Sequence, residues 1–140
     1  MPKSYIRYRS GYKYQLATSY SIPINIKPKK DIKTEFINLD TKGKLTIIQG
    51  YAWDGPSGPV VDTKENMRAS IVHDALYQLM RQKKISAKIY KDKADKIFKN
   101  ICIKDGVPKN IASTYYYGLK IGGKPSTDPK NKKKIHRAPK

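Results

Sequence analysis

Thr63-Lys64-Glu65-Asn66-Met67-Arg68-Ala69-Ser70-Ile71-Val72-His73-Asp74-Ala75-Leu76-Tyr77-Gln78-Leu79-Met80-Arg81 is the stretch at which the chain changes its period. Met67, Ile71, Ala75 and Leu79 recur every fourth residue, and Val72, Leu76 and Met80 widen the stripe, as in a helix laid on a core. Asp62 can cap the free N–H groups of the first turn, and Glu65, three residues later, completes something close to a capping box. A helix over Thr63–Arg81 is predicted. His73 and Tyr77 are four apart and share one of its faces, while Asp74 sits about a hundred degrees round. Asp74 would point back at the loop Trp53-Asp54-Gly55-Pro56-Ser57-Gly58-Pro59. A base and a candidate cation ligand then converge on one mouth.

Upstream of this helix the alternation has a period of two. Tyr5–Arg9, Tyr12–Leu16 and Ile22–Ile26 are rich in aromatic and β-branched residues, with Ser10-Gly11 as a hairpin turn. A second strand pair is predicted at Thr34–Leu39 and Lys44–Gln49, joined by Asp40-Thr41-Lys42-Gly43. The first half is therefore expected to form a small antiparallel sheet.

Downstream, Ser86 caps a second helix over Ala87–Ile103, whose core face is Ile89, Tyr90, Ala94, Ile97, Phe98 and Ile101. Gly106 stops it. Pro108 opens a third helix, through Ile111, Ala112, Tyr115, Tyr116 and Leu119 to Gly122-Gly123, because a first-turn position has no use for the missing N–H. Beyond it come Pro, Lys, Ser and Asn with no core-forming residues. The fold class expected is α+β: an N-terminal antiparallel sheet packed on three helices in one domain, residues 1–123, followed by a flexible lysine-rich tail, residues 124–140.

The chain has 140 residues, enough for one domain that buries roughly two-thirds of its unfolded surface without staples. Its single cysteine, Cys102, excludes an internal disulfide and sits in the apolar run Ile97-Phe98-Ile101-Cys102, so it reads as a small buried hydrophobe. The opening residues lack the apolar core of a secretion signal, and no run approaches the roughly 18 apolar residues of a membrane span. Synthesis and folding in the cytoplasm are expected.

A net charge of +19 is tolerated most easily beside a polyanion such as nucleic acid or an anionic membrane face. Lys124, Lys130, Lys132, Lys133, Lys134, Arg137 and Lys140 crowd the tail against Asp128 alone, and contact with phosphate is expected there. The bland alternative is a solvated tail that keeps the protein soluble. His136 lies in this tail without a plausible partner.

With these residues laid out, the chain resembles the phage and prophage proteins grouped as domain of unknown function 1353. The resemblance runs from about Tyr14 to Gly123. It is carried in order by Asp54-Gly55-Pro56-Ser57-Gly58-Pro59, His73-Asp74-Ala75-Leu76-Tyr77, Lys93-Ala94-Asp95-Lys96-Ile97-Phe98 and Gly106-Val107-Pro108. It implies a phage protein that joins other virion proteins in the assembled particle, and it brings no activity with it.

The His-Asp-x-x-Tyr helix after a Gly/Pro loop, followed by a helix bearing an aspartate, is also similar to the core of phospholipases A2. That similarity implies His73 as the base that activates water, Asp95 as the acid that orients it, and Tyr77 as the brace of Asp95. It also implies a calcium ion held by Asp74, with carbonyls near Trp53, Gly55 and Ser57 completing its oxygen shell. The competing reading is structural: His73 bonded to Asp95 or Tyr77 in a buried polar knot that fixes the first helix on the second. Trp53 then plugs the gap between sheet and helix. Two functions stay open, a calcium-dependent lipid ester hydrolase and a non-enzymatic virion component whose tail meets DNA.

Overall fold

The computed structural model describes residues 5–9, 14–55, 63–122 and 127. Strands β1 (Tyr8–Arg9), β2 (Tyr14–Leu16), β3 (Tyr20–Pro23), β4 (Ile32–Lys33), β5 (Ile37–Leu39), β6 (Lys44–Ile47) and β7 (Ala52–Trp53) precede helices α1 (Lys64–Arg81), α2 (Ala87–Lys104) and α3 (Lys109–Gly122). The order is strands first and helices after, the α+β arrangement that the change of period predicts.

The strands form two antiparallel sheets, ordered β1-β2-β7 and β3-β6-β5-β4, where a single sheet was expected. The chain passes between them twice, from β2 to β3 and from β6 to β7. Gly50, at φ +97°, donates its N–H to the Leu16 carbonyl (2.8 Å), and Leu16 N–H donates to Tyr51 (2.8 Å). The left-handed turn at Gly50 lets the chain leave β6 and come back as β7 beside β2, a path that an L side chain would resist.

β3 ends at Pro23, short of the predicted Ile26. Proline has no N–H for a ladder and is tolerated here because β3 is an edge strand. Ile26 is nevertheless fully buried, outside any strand. The second predicted pair is present as β5 and β6, in register Ile37↔Ile47 and Leu39↔Leu45. Its turn is built locally: Asp40 Oδ1 accepts from Lys42 N–H (2.9 Å) and Lys44 N–H (2.8 Å), and Gly43 takes φ +88°. β4 and β7, two residues each, were not anticipated. They exist because β5 and β2 offer them partners.

α1 is the centre of the molecule. Its N-cap is Thr63, and the first turn is closed by Asn66, whose Oδ1 accepts from Thr63 N–H at 3.0 Å. This corrects the expected pairing of Asp62 with Glu65, since counting from Thr63 makes Asn66 the third helical residue; Asp62 itself lies outside the described residues. Thirteen of the 18 residues of α1 are buried, from Asn66 to Met80. Such a helix needs cover on more than one side. Arg68, Ser70 and Asp74 reach Tyr20, Trp53 and Tyr51 of the strand region, while His73 and Tyr77 reach α2. Burial of Ile71, Val72, Leu76, Leu79 and Met80 stabilises this layer by roughly 1.5–3 kcal/mol per side chain.

Ser86 Oγ caps α2 by accepting from Ile89 N–H (3.3 Å). Ile89 is not a core residue as predicted: it is 69% exposed, in the first turn, before the packed run of Ala94, Phe98, Ile101 and Cys102. Cys102 is fully buried, and burial pushes its thiol up to about 12. α3 follows Pro108 and buries Ala112 and Leu119, while Tyr117 faces out. The Ser10-Gly11 turn, the loop residues 56–62 and the basic residues Lys124, Lys130, Lys132, Lys133, Lys134, Arg137 and Lys140 lie outside the described residues, as does His136. No helix among the described residues is long and apolar enough to cross a membrane.

Candidate functional site

α1 and α2 bring three of the candidate residues together. His73 Nε2 meets Asp95 Oδ1 at 2.7 Å, and the Tyr77 hydroxyl donates to the same oxygen at 2.5 Å. The four-residue spacing on α1 makes this possible, because His73 and Tyr77 are then neighbours on the face toward α2, with ring centroids 4.0 Å apart. Phe98, one turn beyond Asp95 on α2, sets its ring edge-on to the imidazole at 5.3 Å. His73 is 3% exposed and Asp95 is fully buried.

A fourth group completes the cluster, one that the sequence analysis does not single out. Lys91, one turn before Asp95 on α2, donates from Nζ to Asp95 Oδ2 (2.8 Å) and to the Leu119 carbonyl of α3 (3.0 Å). The i,i+4 spacing was visible in the chain; the burial that turns this pair into an interior contact was not. Burial alone would push the Asp95 carboxyl up. Hydrogen bonds from His73, Lys91 and Tyr77 outweigh it and hold Asp95 below the usual carboxylate range. Burial and the bond to Asp95 push the Tyr77 phenol well up, so it stays a donor.

An ionised Asp95 only accepts, which assigns the proton of a neutral His73 to Nε2 and leaves a lone pair on Nδ1. No buried side-chain nitrogen or oxygen among the described residues lacks a hydrogen-bond partner. Nε2 is the nitrogen bonded to Asp95, and the His73 side chain is only 4% exposed. The arrangement is an oriented imidazole backed by a carboxylate whose charge Lys91 balances.

Asp74 is turned away from this cluster, as its angular offset on α1 requires. Its Oδ2 accepts from the Tyr51 hydroxyl, which also lies 3.2 Å from the Gln78 side-chain amide. Burial and the nearby Asp74 charge push the Tyr51 phenol well up. Calcium takes six to eight oxygens. Asp74 offers such an ion one oxygen not already bonded to Tyr51, and among the described residues no group of three or more His, Cys, Asp or Glu stands together for a metal.

Trp53 points its side chain inward: it is 2% exposed, and its indole N–H donates to Ser70 Oγ at 2.8 Å. It fills the space between β7 and α1. Gly55 follows at φ +88°, and Ser57 lies outside the described residues.

A second buried polar group escaped the sequence reading. Arg68 on α1 makes a two-pronged pair with Asp105 at the end of α2 (2.9 and 2.7 Å) and donates to the Tyr20 hydroxyl of β3 (2.9 Å). All three segments are tied by one guanidinium. Only the approach of α2 and β3 gives Arg68 these partners.

Comparison with curated proteins gave no match, and neither did comparison with solved structures. The family described as "Protein of unknown function (DUF1353)" matches residues 31–119, well over half of the chain. The matched region starts after β3, runs from β4 into α3, and holds His73, Tyr77, Lys91 and Asp95. The chain belongs to the DUF1353 family.

Proposed function

We propose that the protein is a hydrolase acting on lipid esters, with His73 as general base. Nδ1 takes a proton from a water molecule as the water oxygen bonds to the ester carbonyl carbon. The imidazolium so formed is stabilised by Asp95 and returns its proton to the leaving alkoxide as the C–O bond breaks. Tyr77 and Lys91 are positioning residues that hold Asp95 ionised and aligned.

The observation that carries this reading is the 2.7 Å contact of His73 Nε2 with an Asp95 kept ionised, which leaves Nδ1 as the free base. The test is release of fatty acid from anionic vesicles, with calcium and with a chelator. His73→Gln is expected to lower the rate by about 100-fold or more while the circular dichroism spectrum and unfolding midpoint stay close to wild type. Equal rates in variant and wild type would remove the proposal.

A second reading is favoured by the complete satisfaction of the buried polar atoms. The hydrogen-bonded His73–Asp95–Tyr77–Lys91 knot specifies how α1, α2 and α3 pack, with or without turnover. On that reading the protein is a structural component. Its resemblance to phage proteins supports a phage origin and a place in the virion under either reading, with residues 124–140 touching DNA or anionic lipid. Deleting residues 124–140 should then flatten the salt dependence of DNA binding, whose slope follows the number of phosphates neutralised.

A further inference from the structure

α2 and α3 contribute to an open cavity of about 590 Å³ whose lining among the described residues is Ala87, Lys88, Lys91, Asp92, Lys120 and Thr127. Three of these six residues carry ammonium groups. The single carboxylate among the described lining residues, Asp92, already accepts from the Tyr116 hydroxyl and pairs with Lys96 at 3.2 Å. The first turn of α2, which opens at Ala87, has no acidic residue, so its N-terminal dipole adds positive potential to the same wall.

Lys91 links this cavity to the imidazole cluster. An ammonium has three N–H donors. One goes to Asp95, one to the Leu119 carbonyl, and the third has no partner among the described residues, on a side chain only 15% exposed. That donor belongs to a residue of the cavity wall, two hydrogen bonds from His73.

We propose that this cavity binds a small phosphate-bearing ligand and that its occupancy is relayed to His73 through Lys91 and Asp95. The three lysines supply compact positive charges suited to a phosphoryl group, and the volume leaves room for an organic moiety against Ala87 and the lysine methylenes. A phosphoryl oxygen that takes the third N–H of Lys91 shares the charge now balancing Asp95. The carboxylate then leans more on His73.

The test is a titration of the full-length ¹⁵N-labelled protein with inorganic phosphate, with glycerol 3-phosphate and with phosphatidic acid vesicles, at constant ionic strength. Saturating amide shifts are expected at Ala87, Lys88, Lys91 and Lys120. The His73 ring Cε1–H signal, assigned by its loss in His73→Gln, should move with the same midpoint. Saturation by the soluble phosphates identifies a free ligand, and saturation by the vesicles alone identifies a lipid headgroup. Changing Lys88 and Lys120 together to Gln should raise the midpoint at least tenfold, and neither residue touches the His73 cluster.

Shifts that drift without saturating, or a midpoint unchanged in the double variant, would overturn the site; saturation with a motionless His73 signal would overturn the relay. Nothing in the titration requires turnover, so its failure leaves the hydrolytic proposal standing, and absence of hydrolysis leaves this one standing.

Discussion

Lys91 and Asp95 stand one helical turn apart on α2 and close a 2.8 Å ion pair whose carboxylate side has no access to water. Pairs at this spacing are common on helix surfaces and contribute little there. Here the approach of α1 and α3 has turned the pair into an interior contact. The carboxylate accepts from three side chains on two helices, and the ammonium reaches a third helix.

Asp95→Asn should therefore be costly, because it removes the counter-charge of Lys91 and gives His73 and Tyr77 a weaker acceptor. A loss of about 3–5 kcal/mol is expected, read from the urea midpoint. The pH dependence follows from the direction of the shift. A carboxyl held below its unfolded value of 3.8 contributes stability that is present above that value and is lost as pH falls through the folded value. Wild type should lose stability below about pH 4, and the Asn variant, already weakened, should show a shallower acid slope. Some slope remains, since Asp40 and Asp92 at the surface are also held low, by backbone bonds from Lys44 and by the Tyr116 hydroxyl respectively. An identical acid slope in the two proteins would show that Asp95 is not the group being titrated.

Arg68 is the corresponding anchor at the other end of α1, with its guanidinium shared between Asp105 and Tyr20. Arg68→Ala should cost about 3–5 kcal/mol, because Asp105 and the Tyr20 hydroxyl lose their partner together. Arg68→Lys should recover less than half of this, since a single ammonium cannot replace a forked donor. Thermal unfolding of the two variants side by side decides it; full rescue by lysine would mean that charge alone matters.

Gly43→Ala tests the β5–β6 turn. The residue sits at φ +88°, and a Cβ there would run into the Ile24 carbonyl oxygen, which belongs to the backbone and has little room to yield. Strain and clash together should destabilise by about 2 kcal/mol or more. A midpoint shift under about 0.5 kcal/mol would show that the turn relaxes.

Cys102 should be inert. With its thiol buried and pushed up to about 12, the thiolate is scarce at pH 8 and no reagent can reach it without opening of the α2 layer. Labelling by a disulfide reagent should be slow and should accelerate with urea in step with unfolding. A stoichiometric burst on mixing would contradict the packing.

Local patterns carried much of the fold. The stripe Met67–Ile71–Ala75–Leu79 marked α1 and Ser86 marked the start of α2, because helix periodicity and caps depend only on residues within a turn or two. Asp40-Thr41-Lys42-Gly43 marked the β5–β6 hairpin for the same reason. β4 and β7 left no trace, since two residues have no period and become strand only when a partner lies alongside. Ile89 misled because an apolar residue in a first turn satisfies the helical stripe whether or not another helix comes to cover it.

By itself the sequence settled the α+β order, the three helices and the shared face of His73 and Tyr77. These follow from hydrophobic period and angular spacing, which are properties of neighbours along the chain. The tertiary structure decided that Asp95 lies under that face, that Lys91 of α2 closes it and reaches α3, that Asp74 serves Tyr51 and that Arg68 joins three segments. Each of those depends on which side chains meet after distant segments pack and water is excluded. A charge that one helix would leave in solvent becomes, between three, a buried group that must find its partner.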